Sequence, residues 1–267
     1  MNMKNVKIIL FLTILATIWG CKKDDNDSGS EVPQWTNSTF TEAAKPTWNI
    51  DWSSNATPPD WKEPDAGKYE CIMNILIELP PEAISHSTSD DRIAVFIGDE
   101  CRGVSHPNKT LHGKVYFLMH VSGNSDEAGQ PMELRYYCDG WHHMSVTKDI
   151  PPFVPNNIMD ETCNIDLNIG KGSTKYPIST LLSALMPQKL PFTVSTNDMI
   201  AVFVGEECRG IGSMNPEYFD GWRITVYSAQ PEETAQLRYY SAEKGGIYTI
   251  LKTFKLTGNI QQETISF

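Results

Sequence analysis

One stretch of this chain is written twice. Residues 91–103 read Asp-Arg-Ile-Ala-Val-Phe-Ile-Gly-Asp-Glu-Cys-Arg-Gly and residues 198–210 read Asp-Met-Ile-Ala-Val-Phe-Val-Gly-Glu-Glu-Cys-Arg-Gly, identical at 10 of 13 positions. The match extends without gaps from 69–104 onto 176–211. Further on, Leu134-Arg-Tyr-Tyr137 matches Leu237-Arg-Tyr-Tyr240, and Asn157 to Thr162 matches Asn259 to Thr264. Self-similarity at such a period marks one folding unit used twice. The 267 residues therefore predict two tandem domains of ordinary size, 66–168 and 172–267.

Within each copy the apolar segments are short, rich in β-branched and aromatic residues, and bounded by turn residues, which predicts an all-β fold. In the first copy the expected strands are 69–79, 92–97, 100–105, 115–122, 132–138, 143–147 and 162–169. About seven strands per hundred residues is the density of an antiparallel, immunoglobulin-like β-sandwich. Gly98-Asp99 is a two-residue hairpin loop with glycine first, as a type II′ turn requires. Its simplest register sets Phe96 opposite Cys101 and Val95 opposite Arg102. That register puts Cys101, and Cys208 in the second copy, beside phenylalanine in the sandwich core, where free cysteine behaves as a small hydrophobe. Glu100 with Arg102, and Glu207 with Arg209, then share a strand face and form structural ion pairs.

Lys4 and Lys7 precede an apolar run, 8–18, that is short for a membrane span and right for a signal-peptide core. The run ends Ile18-Trp19-Gly20-Cys21, which resembles a bacterial lipobox. That resemblance implies a signal peptide over 1–20, a diacylglycerol on Cys21 and a tether over 21–65. The Lys-Lys-Asp-Asp stretch that follows resembles an export signal to the outer face of the outer membrane. The formal net charge of −11 excludes nucleic acid and an anionic lipid surface as natural partners, so contact with a membrane is expected through the lipid alone.

Five cysteines remain besides Cys21. Cys71 and Cys163 align with Ile178 and Ile265, at the first and last strands of the repeat, and are the candidate disulfide, which an exported location permits. Cys101 with Cys138 is the rival pair. No CxxC, HExxH, GxSxG or phosphate-binding glycine motif is present, so no cofactor, metal or catalytic residue is expected.

The most ligand-like residues are Trp141, His142 and His143 in the first copy, and Asp220 with Trp222 in the second, since an indole stacks on a sugar ring and its neighbours supply hydrogen bonds. Four of the seven tryptophans, 35, 48, 52 and 61, fall before the first repeat, in a segment that either packs as an arm or is exposed as a platform. Pro58-Pro-Asp-Trp61, Tyr69-Glu70 and the Ile93–Val104 signature together resemble a repeat module of Bacteroidota surface and secreted proteins. That resemblance implies an exported β-rich protein without catalytic activity. The resulting expectation is a lipid-anchored cell-surface protein of the outer membrane that binds glycan or another extracellular polymer. A structural or adhesive subunit that binds another protein is the alternative, and a glycosidase is the least favoured reading.

Overall fold

The computed structural model describes residues 36–109, 113–157, 164–190, 192–214 and 221–267. A strand precedes the repeats, β1 (Ser38–Glu42). The first half contains β2 (Cys71–Glu78), the one-turn helix α1 (Pro81–Ile84), β3 (Arg92–Ile97), β4 (Glu100–Ser105), β5 (Asn108–Lys109), β6 (Val115–Gly123), β7 (Met132–Cys138), β8 (His143–Thr147) and β9 (Asn164–Asp166). The second half follows with β10 (Ile178–Leu185), β11 (Met199–Val204), β12 (Glu207–Ile211), β13 (Ser213–Met214), β14 (Gly221–Ser228), β15 (Thr234–Ser241), β16 (Gly246–Lys255) and β17 (Ile260–Thr264).

Each half is a pair of facing sheets. The first half orders its strands β5-β6-β2-β9 and β4-β3-β7-β8, and the second β13-β14-β10-β17 and β1-β16-β15-β11-β12. Strand β2 shows why they face: Cys71, Met73, Ile75 and Ile77 alternate inward, while Ile72, Asn74, Leu76 and Glu78 stay partly or fully exposed. Most ladders are antiparallel, but the first and last strands of each half, β2 with β9 and β10 with β17, pair in parallel.

The hairpin turns as expected on Gly98, with φ +61°, and on its counterpart Gly205, with φ +60°. The register beyond it differs from the simple one. A bulge between Val95 and Phe96 leaves Phe96 opposite Cys101 but sets Val95 opposite Gly103, so Arg102 is the extra residue. The second half repeats the irregularity between Val202 and Phe203. Cys101 and Cys208 lie beside phenylalanine, yet on the outer face of the sheet rather than in the sandwich core. Ile93, Val95 and Ile97 face that core, whereas Phe203, Ala201 and Cys208 form a separate cluster with Trp48 and Ile50. The signature's unbroken apolar run is therefore a strand buried on both faces.

The segment before the repeats is what covers that second face. Trp61 meets Phe96 edge-on, with ring centroids 6.2 Å apart, and Trp48 meets the equivalent Phe203 at 5.7 Å. Arg135 and Arg238, the arginines of the two Leu-Arg-Tyr-Tyr motifs, stack on the same two phenylalanines at 3.8 and 4.0 Å. The arm is also held through its backbone: Pro59 accepts from Arg92 at 2.8 Å, and β1 pairs along β16. Trp52 is buried against His143 of the first half and against Tyr176 and Tyr227 of the second. Residues 168–175 are pinned to the β8 edge, with Val146 N–H donating to Gly172 and Thr174 N–H to Met144. The described residues belong to a single compact unit, and the arm expected as part of a tether is one of its structural elements. Trp35 lies outside the described residues.

Candidate functional site

The signature's charged residues hold the sandwich together. Asp91 is fully buried; it accepts from the Tyr136 hydroxyl at 2.9 Å and from the Asp139 N–H at 2.9 Å. Asp198 does the same for Tyr239 at 2.7 Å and Ala242 at 2.8 Å. Burial drives the pKa of both tyrosines far above the ordinary value, so they remain donors at any physiological pH. Arg102 grips Glu127 with two hydrogen bonds of 2.8 and 2.6 Å, lies 4.3 Å over the Tyr69 ring, and reaches the Ser122 carbonyl on the opposite sheet. Glu100 is the secondary partner, at 3.4 Å. Hydrogen bonds from Arg102 hold the Glu127 carboxyl below the usual carboxylate range. In the second half Arg209 pairs with Glu207 at 2.8 Å and Glu233 at 3.2 Å, over Tyr176. The glycine after each arginine lets the sheets meet, since a Cβ on Gly103 would stand 2.2 Å from the His120 carbonyl oxygen.

Of the cysteines, 71, 101, 138 and 208 are free thiols. The rival pairing of Cys101 with Cys138 is thereby corrected. Cys71 bonds Ser125 and Asn156. Cys163 lies outside the described residues, and the Cys71–Cys163 expectation therefore falls outside them. Burial raises the thiol pKa of Cys138 to about 11, which leaves it unreactive.

The expected ligand cluster is not an exposed platform. Trp141 is buried with its ring stacked on His86 at 4.3 Å. His142 closes the short turn over 139–141 in the left-handed region, φ 46°, and its carbonyl anchors the arm by accepting from Ala56 at 2.9 Å and from the Ser54 hydroxyl. His143 is fully buried, bonded to the Ile169 carbonyl at 3.2 Å and facing Trp52. Trp222 is a core residue, edge-on to Tyr239 at 6.1 Å. Asp220 and Cys21 lie outside the described residues.

What the fold does build is a cleft of about 630 Å³ where the halves meet. Its floor is the arm, Trp48 to Trp52. One wall is the α1 region, Glu82, Ser85 and His86, with Trp141. The other is the outer face of β10 and β14, where Leu181, Arg223, Thr225 and Tyr227 point away from the second half's own core, Tyr227 joining the first half's cluster through Trp52, with Ile211 and Ser213 beside them. Asn168 to Gly170 close one end. Aromatic and aliphatic surface with a few convergent polar groups is the usual make-up of a small-molecule or oligosaccharide site. Among the described residues, Trp141 is thus the one member of the expected cluster that lines it. Its partners are not legible in the sequence because they come from six separate stretches of the chain. The available signal was the alternation Trp222-Arg-Ile-Thr-Val-Tyr227, which sets a tyrosine on a face that would otherwise be solvent.

Among the described residues, no group of three or more His, Cys, Asp or Glu is arranged to hold a metal, and no helix is long and apolar enough to cross a membrane. Set against family models, curated proteins and solved structures, the chain finds no match. Fold and site together define an all-β protein of paired sheets with an aromatic cleft between its halves.

Buried His143 makes stability depend on pH. Burial lowers its pKa from the ordinary 6.5. Below about pH 6.5 the unfolded chain therefore binds a proton that the folded chain refuses, so its contribution is complete above 6.5 and falls as pH drops toward the folded pKa. Thermal unfolding from pH 8 to 5 is expected to show Tm declining through the acid end in the parent and declining less in His143→Gln. Equal slopes in the two proteins would refute this.

Proposed function

We propose that this protein is a lipid-anchored outer-membrane lipoprotein, displayed at the cell surface, that binds glycan or another extracellular polymer in the cleft between its halves without catalysing a reaction. The cleft itself is the observation that carries the reading: indole and phenol rings from Trp48, Trp52, Trp141 and Tyr227 border a space of about 630 Å³ open to hydroxyl and amide groups of Ser85, Asn49, Asn168 and Thr225. Rings for stacking and side chains for hydroxyl recognition are what a saccharide requires. Among the described lining residues Glu82 is the single carboxylate, whereas glycosidic hydrolysis ordinarily uses two. Attachment through Cys21 would hold the cleft close to the cell while the acyl chains stay in the membrane.

The second reading, a subunit that adheres to another protein, is favoured by β17, an edge strand whose Ile260 is 80% exposed. The deciding measurement is retention of the full chain, purified in mild detergent, on an array of host and dietary polysaccharides. Leu181→Glu and His86→Ala, on opposite walls of the cleft, are run alongside. Retention of the parent that either variant reduces at least tenfold supports the cleft. Absence of retention on every polysaccharide rejects glycan binding and transfers the weight to the adhesive reading.

A further inference from the structure

The chain has six arginines. Five have acceptors: Arg92 donates to Pro59, Arg102 to Glu127, Arg135 to Glu133, Arg209 to Glu233 and Arg238 to Glu206. Arg223 alone has no acceptor among the described residues, and it is exposed on a wall of the cleft. Its surroundings are built for an anion. Strand register sets Ser213 of β13 opposite it on one side and Ser183 of β10 on the other. Directly opposed residues share a sheet face, so two hydroxyls flank one guanidinium, and neither serine side chain has a partner among the described residues. In the next row along the same face, Leu181 stands opposite Thr225, and Tyr227 lies two residues beyond, toward Trp52. The wall thus runs from a cationic, hydroxyl-flanked end to an aromatic end.

Resting on the glycan reading, we propose that the ligand is an acidic glycan, one whose uronate carboxylate docks on Arg223 between Ser183 and Ser213 while a neighbouring ring lies along Thr225 and Tyr227. A guanidinium offers two parallel N–H groups to a carboxylate, a geometry that a neutral hydroxyl does not match. The net charge of −11 opposes an acidic polymer at long range, but that repulsion is screened beyond roughly 8 Å at physiological salt. The pairing at Arg223 acts at contact distance.

Calorimetric titration of the full chain with oligogalacturonate, and with the same oligosaccharide after its carboxylates are reduced to alcohols, tests this. Binding of the acidic form at least tenfold tighter than the reduced form, with Arg223→Gln bringing the two to equality, is the expected result. The acidic form should also lose affinity as salt rises in the parent and not in Arg223→Gln. Ser183→Ala and Ser213→Ala should each weaken the acidic form alone. Equal affinity for both forms with no effect of Arg223→Gln overturns the acidic-glycan inference and leaves the cleft as a neutral-glycan site. Binding of neither form overturns the inference for this ligand, and the polysaccharide array then reports separately on the broader reading. Circular dichroism of Arg223→Gln is expected to match the parent, since the side chain is exposed and has no acceptor among the described residues.

Discussion

Trp52→Ala is expected to lower the unfolding free energy by about 3–5 kcal/mol, the range for truncating a buried tryptophan, and to divide one unfolding transition into two. The indole packs on His143, Tyr176 and Tyr227 at centroid distances of 5.6, 5.6 and 5.0 Å, so it touches both halves at once. Removing it leaves a cavity where the halves meet, and each sandwich then keeps only its own core, one spanning Met73 to Leu167 and the other Leu182 to Phe267. Guanidinium titration followed by far-ultraviolet dichroism gives the answer. A single transition shifted by less than 1 kcal/mol would show that the arm covers the sheets without joining them.

Arg102→Ala ranks next, with an expected loss of about 3 kcal/mol. Breaking one side of a buried ion pair ordinarily costs about 3–5 kcal/mol because the abandoned charge stays desolvated. The lower end applies here, since the Glu127 side chain keeps 21% of its surface in water, against 5% for Arg102. Glu127 also accepts from the Asn124 N–H at 2.7 Å, so its loss releases a turn as well as a charge. A double-mutant cycle with Glu127→Gln separates the two contributions. Coupling below 0.5 kcal/mol would mean that Arg102 contributes by stacking on Tyr69 rather than by charge. Arg209→Ala should cost a similar amount, because it abandons Glu233, whose side chain keeps only 11% of its surface in water, while its other partner Glu207 is 59% exposed.

Local features were legible because local physics produces them. Five of the seven strands expected in the first half begin where the structure begins them, from Arg92 to His143, since alternation and turn residues are written in consecutive positions. Gly98 announced its turn for the same reason, the positive φ being a property of one residue. Strand β1 was not legible. Ser-Thr-Phe-Thr-Glu carries no core face of its own, and it becomes a strand only because β16, at the other end of the chain, offers an open edge.

The site was the least legible part. The pairing of tryptophan with two histidines at 141–143 suggests exposure, yet the turn that orients them directs Trp141 onto His86 and His143 into the core. Burial of a polar ring depends on what covers it, and here the cover is the arm.

By itself, the sequence determined the repeat, the all-β class and the hairpin at each Gly-acid pair, because these follow from side-chain period and backbone sterics over a few residues. Only the tertiary structure decided the bulge that turns Arg102 toward Glu127, the arm laid over Phe96 and Phe203, and the cleft with Arg223 on its wall. Those outcomes depend on which distant surfaces meet, and the free energy of burying apolar area is non-directional: it records that the tryptophans must be covered without recording by what.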